Sequence, residues 1–204
     1  METTPPPAAT LQWQYLEAVR QDDWFHLLDR GREAVDWRLR AIDSAVDSID
    51  LQTFIWDLDG SGEMIRQHLI DAAARGVFVR VLVDDSFILD ADEALLRIDA
   101  HPGIELKVFN PYERRSSAAG LREILNLGDF HRLDHRMHNK VMVVDNRVAV
   151  VGGRNLADHY FGYDDTDNFR DLDLIAGGAI VQELADGFDA YWNDPWSFPV
   201  AKVM

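Results

Sequence analysis

Four polar residues in the second half of the chain have the types and spacing that chemistry on an anionic group would need. They are His138, Lys140, Asp145 and Asn155. Because successive side chains of a β-strand point to opposite faces, His138 and Lys140 are predicted to project from the same face. A base or nucleophile would therefore lie beside a fixed cation.

The chain is predicted to turn back beside this pair. Asp145 and Asn146 are typical of a tight hairpin turn. Gly152 and Gly153 would let the returning backbone pass closely, and Asn155 would then add a neutral hydrogen-bond donor. An imidazole, an ammonium group and an amide without a carboxylate among them suit an anionic oxygen centre, most simply a phosphate.

Alternating helical and strand periodicity predicts the elements that hold these residues. Residues 1–10, with three consecutive prolines, are interpreted as a disordered lead-in, and residues 11–204 as one domain. The first half predicts a βαβαβ order, and the hairpin makes the sheet mixed, so the fold class is α/β. The predicted strands are Ser48–Trp56, Val77–Val83, Ile104–Phe109, Met137–Val144, Arg147–Val151 and Asp171–Ile175, and an amphipathic helix follows Gly178.

Composition and charge exclude several classes of function. The chain has 36 acidic and 20 basic side chains and a net charge of -16, which makes a long nucleic-acid contact surface unfavourable. It has no cysteine, so disulfides, thiolate metal sites and a cysteine nucleophile are excluded. We see no signal peptide and no uncharged apolar run long enough to span a membrane. We therefore expect a cytoplasmic location, or a peripheral one on the inner membrane surface.

The pattern His138-x-Lys140-x4-Asp145, followed by Gly152-Gly153 and Asn155, resembles the HxKxxxxD motif of the phospholipase D superfamily. The flanks resemble the N-terminal half of bacterial cardiolipin synthase-like members, and the resemblance covers about residues 25 to 196. It implies a phospholipase D-like mixed β-sheet flanked by helices, one of the usual two halves. Position 153 is glycine where many members have serine. The segments that carry the flanking resemblance are residues 34–52, 75–85 and 168–173.

The resemblance also implies a mechanism, which is two-step phosphodiester exchange through a phosphohistidine without a metal or a cofactor. His138 would be the nucleophile or the general acid. Lys140 and Asn155 would bind the non-bridging phosphate oxygens, with Gly152 and Gly153 forming part of the substrate-binding backbone.

Three acidic residues have different expected roles. Asp145 completes the motif, but its place at the hairpin turn makes it a poor candidate for direct chemistry, and in this family it is largely structural. An acid on a later strand orients the histidine in the family. Asp171 is our choice for that role, and Asp173, on the same face, is the alternative.

The family's chemistry uses two such motifs, whereas this chain has one His-x-Lys. The second motif would come from a C-terminal region that is absent, which we prefer, or from a homodimer. The predicted activity is cardiolipin synthase-like phosphatidyl transfer on a phosphatidylglycerol-like lipid, with peripheral membrane contact and no nucleic acid. The alternative is a homodimeric phosphodiesterase or nuclease with one histidine per chain. A third interpretation is a degenerate domain that only binds a partner or a phosphorylated ligand.

Other polar and aromatic residues also allow two interpretations. The spacing of His131, His135 and His138 could mimic a metal cluster on a helix, although the predicted strand from Met137 breaks the helical face. Asp84-Asp85-Ser86 is interpreted as a solvated turn that caps a helix, with ligand contact as the alternative. Two tryptophans near the end of the chain, Trp192 and Trp196, are interpreted as packing residues of the last helix, with a membrane interface as the alternative.

Overall fold

The computed structural model describes residues 23–87, 92–113 and 130–204, so the predicted lead-in lies outside the described residues. Strands and helices alternate along most of this length. The strands are β1 (Trp24–Leu28), β2 (Ser48–Thr53), β3 (Phe78–Asp84), β4 (Ile104–Phe109), β5 (Val141–Val144), β6 (Val148–Gly152), β7 (Asp173–Gly177) and β8 (Ser197–Pro199). The α-helices are α1 (Gly31–Ser44), α2 (Gly60–Ala74), α3 (Asp92–Asp99), α4 (Phe130–Leu133), α5 (Asp158–Phe161) and α6 (Ile180–Trp192).

The described strands form one eight-stranded sheet in the order β1-β7-β6-β5-β2-β3-β4-β8. Strands β2, β3 and β4 run parallel, and all other neighbours are antiparallel. The prediction of a mixed α/β sheet is therefore confirmed. The near-continuous apolar run of β3 is explained by its central position, where both faces of the sheet are covered.

Each face of the sheet packs against different helices. Ile49 and Leu51 of β2 belong to the large core formed with α1, α2 and α3. The opposite face packs under α6, whose Val181 and Ala185 contact the valines of β5. The spacing of the buried residues in α6 follows the helical repeat, so one side of the helix faces the sheet.

Helix α6 leaves part of its face of the sheet uncovered near β1. Leu27 of β1 is directly opposite Leu174 of β7, which in turn is opposite Val151 of β6. Phe25, Leu27 and Leu172 are each more than half exposed, at 56%, 52% and 53%, and Leu174 is 37% exposed. We call these four residues the apolar edge patch.

The hairpin between β5 and β6 has the predicted turn. Asp145 and Asn146 both have positive φ, at 53° and 51°, as a type I′ turn requires. The amide of Arg147 donates to the carbonyl of Val144 at 3.0 Å and closes the turn. The hairpin therefore places the start of β5 next to the end of β6.

Several boundaries and elements differ from the sequence-based predictions. β5 begins only at Val141, so His138 and Lys140 precede the strand rather than lie within it. β1, β8 and α5 were not predicted. Trp192 is buried and stacks on Phe188, with ring centroids 5.7 Å apart, so the packing interpretation of this tryptophan is confirmed.

The structure also bears on membrane insertion. Within residues 23–87, 92–113 and 130–204, no helix combines the length and the apolar character that a membrane span requires.

Candidate active site

One edge of the sheet gathers most of the predicted site residues. The parallel strand β2 ends there, and the antiparallel β5 begins there, directly after His138 and Lys140. β6 ends at the same edge with Gly152, opposite Asp173 at the start of β7. Strand direction alone therefore brings together residues that are distant in the sequence.

His138 and Lys140 form a contacting pair at this edge. The Lys140 Nζ lies 3.1 Å from the His138 Nδ1 and donates to the His138 carbonyl at 2.7 Å. The imidazole is exposed to solvent, while most of the lysine side chain is buried. An accessible histidine thus lies directly beside a buried cation. The two side chains are adjacent as predicted, although both residues precede the strand on which that prediction was based.

The aromatic ring of Phe54, directly after β2, contacts both members of this pair. Its ring centroid lies 4.5 Å from that of His138, and the Lys140 Nζ lies 5.0 Å from the Phe54 centroid. A cation over an aromatic face is attracted by the negative charge density of the ring. Phe54 therefore limits the positions that both functional groups can take.

Burial changes the acid strength of Lys140. Desolvation lowers the pKa of its ammonium group below the ordinary value, while the negative charges of Asp171 and Asp84 raise it and offset part of that effect. A lysine with a lowered pKa gives up its proton more readily, so the neighbouring carboxylates help to keep the site cationic.

At Gly152 and Gly153, the end of β6 passes close to the start of β7. A Cβ added to Gly152 would lie 2.5 Å from the Leu172 carbonyl oxygen, so this backbone contact excludes a side chain. A Cβ added to Gly153 would lie 2.1 Å from the Asp171 Oδ1. The space that a side chain at 153 would fill is therefore occupied by the Asp171 carboxylate.

Asp171 and Asp173 have different surroundings. Asp173 is fully buried between two arginines, with its Oδ2 3.0 Å from Arg38 Nη1 and 3.2 Å from Arg154 Nη1. Asp171 is only half-buried and its charge acts on Lys140. Within the described residues its Oδ1 accepts the Leu172 amide at 2.7 Å, and it makes no hydrogen bond to the His138 ring. Asp171 is thus the acid next to the site. That it orients the His138 ring remains a prediction.

Arg154 fixes the loop that follows β6. It is buried and donates to the carbonyls of Leu28, at 2.8 Å, Asp29, at 2.9 Å, and Tyr160, at 3.1 Å, and also to that of Asp171. These bonds connect β1, α5 and the start of β7 underneath the site.

Asn155 is buried at the same edge. Its Oδ1 accepts the backbone amide of Ile55 at 3.0 Å, so the amide side chain is oriented by the chain that follows β2. With the oxygen engaged, the NH₂ group is the part of Asn155 that can donate to a ligand.

Asp145 lies at the opposite edge of the sheet. Its carboxylate accepts backbone amides of Val46, at 3.0 Å, and of Asp47 and Ser48, both at 2.8 Å. These residues connect α1 to β2, so the carboxylate joins the hairpin turn to the α1–β2 junction. The structure therefore does not bring Asp145 together with His138.

The metal interpretation of His131, His135 and His138 has no support among the side chains that the structure describes. Within the described residues, no group of three or more His, Asp or Glu side chains could hold a metal ion. His135 contacts the Trp196 ring, with centroids 5.7 Å apart. The side chain of His131 lies outside the described residues.

The interpretation of Asp84 and Asp85 as a solvated turn is wrong, because both side chains are fully buried. The Asp84 Oδ1 does accept the Ser86 amide at 2.8 Å, as a capping carboxylate would. Its other partners, described below, are far along the chain.

Sequence reasoning missed Phe54, Arg38 and Arg154 as parts of the site. An aromatic residue at the end of a strand has an ordinary core pattern, so Phe54 carries no local signal. Arg154 stands between Gly153 and Asn155 in the motif, and this position was the sequence signal that it lies near the site. The burial of Arg38 on the inner face of α1 contradicts the usual exposure of arginine and could not be inferred from spacing.

Comparison with known proteins identifies the family. The family model described as "Cardiolipin synthase, PLD-like domain" matches residues 39–192, about three-quarters of the chain. The chain belongs to the phospholipase D superfamily. Cardiolipin synthase C of Escherichia coli K12 is 40% identical to this phospholipase D-like chain over 177 residues, or 87% of the chain and 37% of that protein. The chain thus spans little more than a third of the length of curated relatives that it matches.

Solved structures confirm the phospholipase D-like fold. Phosphatidylserine synthase from Haemophilus influenzae Rd KW20 superposes with a TM-score of 0.67 at 14% identity, covering 93% of this chain and 43% of that one. NucT from Helicobacter pylori has a TM-score of 0.62 at 13% identity and is covered over 98% of its own length. At these identities the likeness concerns the fold alone.

Proposed function

We propose that this chain supplies one half of a phosphatidyltransferase site that exchanges phosphodiesters through His138, in the manner of a cardiolipin synthase. The observation that carries the proposal is the contact between the exposed His138 ring and the buried Lys140 ammonium group at the edge that also holds Gly153 and Asn155. The family match over residues 39–192 supports the same chemistry.

In the first step the His138 Nε2 attacks the phosphorus of a phosphatidylglycerol-like lipid. The bond from phosphorus to the leaving alcohol oxygen breaks, and that oxygen takes a proton from a second histidine. In the second step the oxygen of an acceptor alcohol attacks the phosphorus, its proton passes to the second histidine, and the nitrogen–phosphorus bond breaks. His138 is thereby restored, and the transfer needs no further reactant.

Lys140 has two successive roles in this scheme. An ammonium group only donates, so its contact with Nδ1 leaves the hydrogen of a neutral His138 on Nε2, which blocks attack through that atom. Arrival of a phosphate draws Lys140 to a non-bridging oxygen, and the proton can then reside on Nδ1, with Asp171 as the acid that would orient the ring. The cation finally stabilises the charge that grows in the transition state, together with Asn155.

The second histidine comes either from a second half of the protein or from a second copy of this chain. The chain matches only 37% of cardiolipin synthase C, which supports the first arrangement. The second corresponds to a homodimeric phosphodiesterase, and the two give different results in the experiment below.

The test is an assay of phosphatidyl transfer on vesicles of phosphatidylglycerol. The rate is measured as the release of glycerol. We would assay the chain alone and a chimera in which it replaces the matched segment of cardiolipin synthase C. His138→Ala should lower turnover by about 10⁴-fold or more, because it removes the nucleophile that forms the covalent intermediate. His68→Ala, which removes a partly exposed histidine on α2, is the matched control. Retained activity in His138→Ala would refute the proposal.

Mixing experiments separate the two sources of the second histidine. The total concentration is held constant while His138→Ala chains replace wild-type chains. If two copies share one site, the activity falls with the square of the wild-type fraction, whereas one His138 per active unit gives a linear fall. A different result would be cleavage of single-stranded DNA by the chain alone, at a rate that falls with the square of the wild-type fraction. That result would favour the homodimeric phosphodiesterase.

A further inference from the structure

A cluster of buried polar side chains lies beside the site, at the ends of β3 and β4, and the proposed mechanism does not use it. Asp84 ends β3, and Asn110 follows β4 with a positive φ of 48°. Both side chains are fully buried. Burial of polar groups is unfavourable unless they are hydrogen-bonded, so the partners of this cluster show what it stabilises.

Asp84 binds the chain directly before His138. Its Oδ2 accepts the Met137 amide at 2.9 Å, and its Oδ1 lies 3.3 Å from the Arg136 Nη1. The same Oδ1 also accepts the hydroxyl of Ser86 at 2.6 Å, which fixes the carboxylate itself. One rigid carboxylate thus positions two consecutive residues before the histidine.

Asn110 holds the preceding residues in the same way. Its Nδ2 donates to the carbonyls of Arg132, at 2.9 Å, and His135, at 2.7 Å. Arg136 donates in turn to the Asn110 carbonyl at 3.0 Å and to the Leu133 carbonyl at 2.8 Å. Because β5 begins only at Val141, these bonds replace the strand pairing that would otherwise fix the approach to His138.

Asp84 also acts on the site through its charge. The Lys140 pKa is lowered by burial, and the charges of Asp171 and Asp84 oppose that effect. Asp171 approaches from the start of β7 and Asp84 from the end of β3, on the other side of β2. Among the described residues, the other titratable or charged groups that face Lys140 include His138 on its own segment, Arg38 of α1 and Arg154 after β6, and Asp173 of β7 pairs with Arg38.

We propose that Asp84 is a positioning residue for the His138–Lys140 pair, which holds the backbone in front of the histidine and supplies a buried negative charge near the lysine. The inference deepens the proposed function and rests on it for the meaning of the site. Its test, however, does not depend on turnover. The role of Asp84 and the proposed phosphatidyltransferase function can therefore be refuted separately.

The test uses ¹³C-labelled lysine and NMR titration of the full chain. The sequence has three lysines, so few signals are expected, and Lys140→Arg identifies the signal of Lys140. Asp84→Asn removes the charge but keeps the shape, and the acid dissociation constant of Lys140 should rise by about threefold or more. Asp84→Glu keeps the charge, and the titration should return towards that of the wild type.

Asp50→Asn is the matched control. Asp50 is a buried carboxylate on β2 that accepts two hydrogen bonds from the partly exposed Arg80, at 2.6 and 2.8 Å, so its replacement also breaks an ion pair. We expect it to destabilise the fold without moving the Lys140 titration. If Asp84→Asn behaves like this control, with an unchanged Lys140 titration, Asp84 is merely structural and the proposal is overturned.

Amide hydrogen exchange provides a second measurement in case Asp84→Asn does not fold. In Asp84→Glu the carboxylate is displaced by one methylene, so exchange of the Met137 amide should accelerate by about tenfold or more relative to that of the Val143 amide within β5. An unchanged exchange rate of Met137 would overturn the positioning role. Absence of phosphatidyl transfer by the wild-type chain would leave both measurements readable and would count only against the proposed function.

Discussion

The two ends of the β5–β6 hairpin use the same motif in opposite ways. At the site end, His138 is exposed and Lys140 contacts it, with Gly152 and Gly153 passing close by. At the turn end, the Asp145 carboxylate is buried and accepts three backbone amides between Val46 and Ser48. The first end presents polar groups to a ligand, while the second satisfies its polar groups within the fold.

The difference shows that residues of one short motif can be under two kinds of physical constraint. The exposed ring of His138 can change partners when a phosphate arrives. Asp145 cannot do so without depriving three backbone amides of their acceptor. The acid of the motif therefore fixes the hairpin to the α1–β2 junction, and the hairpin in turn fixes the distance between His138 and the end of β6.

The largest expected effect of a substitution is on turnover, and it should occur at the site end of the hairpin. Lys140→Met should reduce turnover in the active assembly by about 10³-fold, as loss of a transition-state charge contact does. Its free energy of unfolding near neutral pH should be equal to or above that of the wild type, because burial of the ammonium group is unfavourable. Urea unfolding and the transfer assay together check this, and a large loss of stability would show that Lys140 is structural.

Lys140→Met should also change how the free energy of unfolding depends on pH. The Lys140 pKa is lowered in the folded state, so the unfolded chain binds more protons at alkaline pH. The contribution of Lys140 to stability should therefore increase as the pH rises from the folded to the unfolded pKa. Comparing wild-type and Lys140→Met unfolding across this range isolates that increase, which the variant should lack.

A smaller effect is expected at the turn end, and it should appear in stability rather than turnover. Asp145→Asn keeps one acceptor oxygen but removes the charge, which should lower the free energy of unfolding by about 2–4 kcal/mol. Turnover per folded molecule should stay within about threefold of the wild type, since no contact with substrate is lost. Asp36→Asn, an exposed substitution on α1, is the control for loss of one negative charge. A much larger loss of turnover in folded Asp145→Asn would contradict the division between the two ends.

The smallest effect is expected for Gly153→Ser, which installs the residue that many family members have. The new side chain would displace the Asp171 carboxylate, which lies where its Cβ must go. We expect a loss of stability of about 1 kcal/mol, because the displaced group is a short side chain and not backbone. Gly152→Ala, which meets the Leu172 carbonyl, should cost more. Equal losses for the two would show that the Asp171 carboxylate is as fixed as the backbone.

Much of the fold was predictable from the sequence. The strand Ile104–Phe109 was predicted with its observed boundaries, because the His101-Pro-Gly turn marks its start. β1 was missed since both Phe25 and Leu27 are apolar on an exposed face, which removes the alternation that identifies a strand. β8 has three residues, too few for any periodicity.

The site was predictable where residues close in sequence form it and not where distant segments meet. The side-by-side placement of His138 and Lys140 was predicted from strand alternation, although both residues lie just before β5 in the structure. Asp84 was misjudged because its partners Arg136 and Met137 are 52 and 53 residues away, so local sequence is the same for a solvated and a buried carboxylate. The contrast between Asp171 and Asp173 likewise depends on Arg38, which lies on another element.

If two copies of this chain meet through the apolar edge patch beside β1 and β7, the strength of their association should depend on ionic strength. Each copy carries a net charge of -16, so two copies that meet through this patch repel one another electrostatically. The Debye length falls from about 10 Å at 0.1 M salt to about 3 Å at 1 M, and apolar contact does not weaken with it. We therefore expect any association through this patch to increase with salt, so the native mass of the chain should be measured from low to high salt before the mixing experiments are interpreted.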